Sequence, residues 1–82
     1  MTSAQTIFDA VTIKSSKDLG DFVRAFRTSQ SLTQADILGL ANTGNRFIVE
    51  LESGKPTVQL QKVLDVLDVL GLELVVQKKG SF

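Results

Sequence analysis

The chain contains no cysteine and no histidine. Without cysteine, disulfides and thiolate metal sites are excluded. Without histidine, the commonest general base and metal ligand is missing as well. Charge of one sign is also lacking: nine Lys and Arg balance nine Asp and Glu, and the pI is about 6.1. That removes the general basic field of a nonspecific nucleic-acid binder, so any such affinity must come from the local placement of a few cations. No apolar run is long enough to span a bilayer, and MTSAQTIFDAVTIK carries neither a signal-peptide-length apolar run nor an early basic cluster. A soluble protein of a reducing, cytoplasmic compartment is therefore expected. Internal repeats, low-complexity tracts and glycine-rich loops are absent too. Asp65 and Asp68 are paired carboxylates, a pattern that can do acid–base work. With no histidine, cysteine or pocket-forming length of chain beside them, a solvated helix face is the better reading. An enzyme is disfavoured, and neither a cofactor nor a metal is expected. At 82 residues the chain is one small domain whose core gives only a few kcal/mol, and a partner chain is the expected supplement.

What is present is organised around LTQADILGLANTGNRFIVELESGK, residues 32–55. Thr33 can cap a first helix, with Asp36 at the capping-box spacing. Ile37, Leu40 and Ala41 then form one apolar stripe. Asn42, Thr43 and Gly44 break the period, and Asn and Gly enter left-handed backbone most cheaply, so the chain turns there. A second stripe of Phe47, Ile48 and Leu51 faces inward. Ser53-Gly54-Lys55-Pro56 stops that helix. Asn45, Arg46, Val49 and Glu50 remain on its outer side, which in a helix-turn-helix is the face that enters the major groove of DNA.

The flanks complete a mainly α reading. Residues 1–14 are an N-terminal arm, in which Ala10–Ile13 is a possible short edge strand. Ser15 with Asp18 caps a helix whose stripe is Leu19, Phe22, Val23 and Phe26. Phe22, Phe26 and Phe47 are read as core rather than as base-stacking platforms. After Pro56, Thr57 caps a long helix to about Leu70, with Leu60, Val63, Leu64 and Leu67 as its primary stripe and Val66, Val69 and Leu70 widening it. Gly71 ends that helix. Residues 72–82 form a strand and tail, and because a lone strand cannot satisfy its backbone, Leu72, Leu74, Val75 and Val76 are expected to pair with a second copy across a two-fold axis. The helix-turn-helix domain is placed at residues 15–71.

Leu32-Thr33-Gln34, Asn42, Ile48, Leu51, Glu52 and Gly54-Lys55 together resemble the Cro and phage-repressor (XRE) type of helix-turn-helix. The segment GNRFIVELESGKPTVQLQKVLDVLDVLGLELVV is similar to HipB-like antitoxins, small dimeric repressors partnered with HipA-type kinase toxins. Two positions depart from the family pattern: Leu38 replaces a small alanine, implying different inter-helix packing, and Asn42 replaces the turn glycine. The resemblance implies a lambda-repressor-like bundle of four to five helices with a C-terminal β-strand in a dimer sheet. It further implies that Gln34 donates to a phosphate, that Asn45 and Arg46 read base edges, and that Thr43, Ser53 and Lys55 contact the backbone. Thr33, Gly44 and Val49 complete the expected DNA-facing set. Glu50 leaves two roles open, since its carboxylate is repelled by phosphate yet accepts from cytosine; it is a candidate selectivity filter. Arg27 and Glu52 are expected to form a structural salt bridge rather than to touch DNA.

The function that follows is a sequence-specific repressor on a palindromic operator of double-stranded DNA. It acts as a homodimer, autoregulates its operon and neutralises a HipA-like toxin kinase, with weak nonspecific binding and a modest salt dependence. A stand-alone regulator of phage or plasmid type, and an interaction module that has lost DNA binding, are the alternatives.

Overall fold

The computed structural model describes residues 10–41 and 44–80, with Asn45 described by its backbone alone. Four helices are present among these residues: α1 Ser16–Ser29, α2 Gln34–Ala41, α3 Asn45–Ser53 and α4 Leu60–Val69. Val23, Ile37, Ala41, Phe47, Ile48, Leu51, Val63, Val66, Leu67 and Leu70 form the buried core between them. Helix α3 packs on α1 and on α2, and α2 also packs on α4.

Capping fixes where the first two helices begin. The Ser15 hydroxyl accepts from the Asp18 N–H at 3.0 Å, and the Asp18 carboxylate accepts from the Lys14 N–H at 3.0 Å, one residue further out than in a closed capping box. At α2 the box is reciprocal: Asp36 N–H donates to Thr33 Oγ1 at 3.1 Å and Thr33 N–H to Asp36 Oδ2 at 2.8 Å. Gly44 precedes α3 in extended backbone (φ −75°, ψ 156°).

Three helices end in the same closure. In each, the amide of one residue in left-handed backbone bonds a carbonyl three residues back, and the next amide reaches five back, which satisfies two orphan carbonyls. The bonds are Ser31→Thr28 and Leu32→Arg27 after α1, Gly54→Leu51 and Lys55→Glu50 after α3, and Gly71→Asp68 and Leu72→Leu67 after α4. Gly54 and Gly71 adopt this backbone at φ 86° and 78°, whereas α1 places a serine there, Ser31 at φ 60°.

Glycine has a different use at Gly20. A Cβ on it would collide with the carbonyl oxygen of Leu51, so the backbones of α1 and α3 are in direct approach. That approach aligns the end of α3 along α1, with Gly54 against Lys17; a Cβ on Gly54 would lie 2.8 Å from Lys17 Cα.

Several sequence expectations are corrected. Leu40 does not join the inward stripe and is 65% exposed. Leu38 is half-buried against the core in its place, because the inward side of α2 is centred between Ile37, Leu38 and Ala41, and Leu40 falls outside that arc. Phe26 is half-buried and packs against the core, and Phe22 is half-buried beside it, their rings stacked at 6.0 Å between centroids. Helix α4 starts at Leu60 behind Gln59, with no side-chain cap, rather than at a Thr57 cap. Val58 decides that entry: it and Val63 occupy the hydrophobic-staple positions flanking the first turn, and both belong to the core assembly. Leu60 itself is exposed.

Among the described residues no strand is formed, either at Ala10–Ile13 or at residues 72–77. Leu72 is half-buried against the core, while Leu74, Val75 and Val76 are exposed. Asn42 and Thr43 lie outside the described residues.

Candidate nucleic-acid interface

The interface is built over a buried ion pair. Arg27, late in α1, donates through Nε to Glu52 Oε2 at 2.6 Å and through Nη2 to Oε1 at 3.0 Å, a bidentate fork. Its Nη1 donates to the Leu32 carbonyl at 2.7 Å, and Gln34 Nε2 donates to Glu52 Oε1 at 3.1 Å. One guanidinium and one carboxylate thus tie the end of α1, the start of α2 and the end of α3 together. Burial pushes the Glu52 carboxyl up, but the hydrogen bonds from Arg27 and Gln34, with the charges of Arg27 and Arg24, outweigh it and hold Glu52 below its ordinary value. The Glu52 hydrogen bond in turn raises Arg27, against the opposing effect of burial.

This pair is the floor of an open groove of about 680 Å³. Its walls are Arg24 from α1, Leu32 and the Thr33-Gln34-Ala35 entry of α2, and Val49 and Ser53 from α3. The groove therefore combines a guanidinium, a side-chain amide and the positive end of a helix, a donor set suited to phosphate oxygens.

Of the residues singled out in the sequence, Thr33, Gln34, Val49 and Ser53 line this groove together. Gln34 commits one amide hydrogen to Glu52, which leaves the other for a ligand. The Ser53 hydroxyl donates to the Glu50 carbonyl at 2.9 Å. Arg46, Glu50 and Lys55 form a second cluster on the outer side of α3, where Glu50 Oε2 lies 3.0 Å from Lys55 Nζ and 3.4 Å from Arg46 Nε. The Arg46 side chain is 88% exposed and that of Glu50 28%. Gly44 is exposed at the start of α3, Asn45 contributes its first residue, and Thr43 lies outside the described residues.

Arg24 was missed in the sequence. The available signal was its spacing: three residues before Arg27 on one helix places both on neighbouring faces. Asp65 and Asp68 are exposed on α4, Asp65 accepting from Gln61 at 3.1 Å. No group able to hold a metal ion and no helix long and apolar enough to cross a membrane occurs among the described residues.

Comparison with known proteins agrees with this geometry. An uncharacterized HTH-type transcriptional regulator of Sinorhizobium fredii (strain NBRC 101917 / NGR234), y4mF, is 46% identical over 69 residues, covering 84% of this chain and 91% of that protein. The chain belongs to the HTH-type transcriptional regulators. No family model matches it. The fold is shared with two solved structures: a HipB–O4 20-mer complex, at TM-score 0.80 and 17% identity over 87% of this chain and 100% of that one, and a HipB variant complex with an O2 20-mer, at 0.80 and 18%. Membership of that family sets the chain among regulators rather than enzymes.

Proposed function

We propose that this regulator binds double-stranded DNA as a homodimer, placing α3 of each protomer in a major groove of a palindromic operator and repressing its own operon in the cytoplasm. The observation that carries this reading is the outer side of α3: Arg46, Val49 and Glu50 project from a helix whose other side is locked into the core by Phe47, Ile48 and Leu51. Such a helix presents base-reading side chains in a fixed orientation. Asn45 and Arg46 would read base edges, Arg suiting guanine and Asn suiting adenine. Arg24, Gln34, Thr43, Ser53 and Lys55 would hold phosphates and set the register, with Thr33 and Gly44 shaping the two helix starts.

Residues 72–77 supply the dimer contact in this reading. Leu74, Val75 and Val76 are exposed at 51%, 68% and 89%, an apolar run that pairing with the same segment of a second copy would cover. Sedimentation tests it: the wild type should behave as a dimer and Val75→Lys as a monomer. The shared fold with HipB in complex with 20-mers supports an antitoxin role, with a HipA-like kinase as the second partner. Copurification with the product of a neighbouring kinase-like gene separates that role from a stand-alone regulator.

Titration of the protein's own upstream region against a scrambled duplex tests DNA binding itself. Preference for the upstream region, lost in Arg46→Ala and Asn45→Ala, is the expected result. Unchanged binding in both variants would favour an interaction module.

A further inference from the structure

Two cations of the recognition face, Arg46 and Lys55, converge on one carboxylate oxygen of Glu50, at 3.4 and 3.0 Å. Lys55 sits just beyond the left-handed Gly54 and returns its own N–H to the Glu50 carbonyl at 3.0 Å, so the helix terminator itself aims the lysine at the carboxylate. Arg46 lies one turn earlier on α3. Building on the DNA-binding reading above, we infer that Glu50 is an internal competitor for phosphate: it neutralises Arg46 and Lys55 in the free protein and yields them only on a sequence that offers the carboxylate a donor of its own.

The energetics suit that task. Ion pairs at this exposure are weak, so exchanging them for contacts to DNA costs little. An Arg placed before a Glu at this spacing is also the weaker of the two orderings. What discriminates is the fate of the carboxylate afterwards. Against a base edge that donates, such as the exocyclic amine of cytosine, Glu50 exchanges its cations for a hydrogen bond while Arg46 and Lys55 pass to DNA. Against any other sequence, the carboxylate is left unpaired beside phosphates, or it keeps its cations and the face presents little positive charge. Glu50 thus acts mainly against wrong sequences, in a protein whose charge is balanced overall.

Glu50→Gln tests this, because it removes the charge and preserves the shape. Affinity for the upstream region and for a random duplex is measured for both proteins over a series of salt concentrations, with circular dichroism confirming the helical content. Glu50→Gln should bind random duplex about three- to tenfold more tightly. Its salt dependence should steepen by about one to two phosphate equivalents, and its preference for the upstream region should shrink. Glu50→Ala should shift random-duplex binding in the same direction. Random-duplex affinity and salt slope equal to wild type in both variants would overturn the inference while leaving the DNA-binding reading intact. A wild type that prefers no duplex would remove both.

Discussion

Arg27 Nε lies 2.6 Å from Glu52 Oε2, across 25 positions of sequence, and both side chains are at least nine-tenths buried. An ion pair so placed stabilises less than its geometry suggests, because both charges have left water. Breaking it is another matter. Arg27→Met should cost about 3–5 kcal/mol by stranding the Glu52 charge, enough to unfold much of a domain this size. The double variant Arg27→Met with Glu52→Leu should recover a large part of that loss. Chemical denaturation of the two single variants and the double one reads both values.

The same pair sets the acid limit. Glu52 has its folded value depressed below the ordinary 4.5, so its contribution is complete above about that pH and is lost as pH falls through the lower folded value. Arg27 is raised from an already high value and stays charged throughout this range, so it adds no slope of its own. Unfolding free energy should therefore fall on acidification below pH 4.5, and Glu52→Gln, though less stable at neutral pH, should show a flatter acid limb.

Ser31 occupies, at φ 60°, the position that Gly54 and Gly71 fill after the other two helices with this closure. A residue with a Cβ is strained there. Ser31→Gly should raise stability by about 0.5–1 kcal/mol, the relief of strain exceeding the added freedom of the unfolded chain. A control, Ala25→Gly at an exposed position inside α1, should lower stability by about 1 kcal/mol. Denaturant midpoints distinguish the two.

Arg24 shares its groove with Thr33, Gln34, Val49 and Ser53 but lies on α1 rather than on α3. Arg24→Ala should weaken upstream and random duplex alike and reduce the salt slope by about one. Titration at several salt concentrations shows whether the loss is uniform; a loss confined to the upstream duplex would mean base reading instead.

Which of these features were legible in the sequence depends on how local they are. The Ser15 and Thr33 caps, and the stops at Gly54 and Gly71, involve residues within five positions of each other and were readable from spacing. Spacing alone favours Leu40, and only the family resemblance points Leu38 at a neighbouring helix, because the choice depends on α2 packing against both α3 and α4. The start of α4 was not readable from spacing either, since anchoring of Val58 overrides the capping propensity of Thr57. Ser31 gave no sign because serine is not the residue that left-handed closures favour. The outward placement of Arg46, Val49 and Glu50 on α3 followed from helix periodicity. The ion cluster did not, since Lys55 reaches Glu50 only through the closure after α3. Residues 72–77 read as a strand from composition, but composition states only a preference, and no segment among the described residues pairs with them.

Footprinting of the wild-type protein on its own upstream region tests the central claim most directly. Two protected half-sites of inverted sequence should appear on one side of the duplex, their centres separated by about 10 bp or a multiple of it. Protection of a single half-site with no symmetric counterpart, or none at concentrations where the protein is dimeric, would contradict the account.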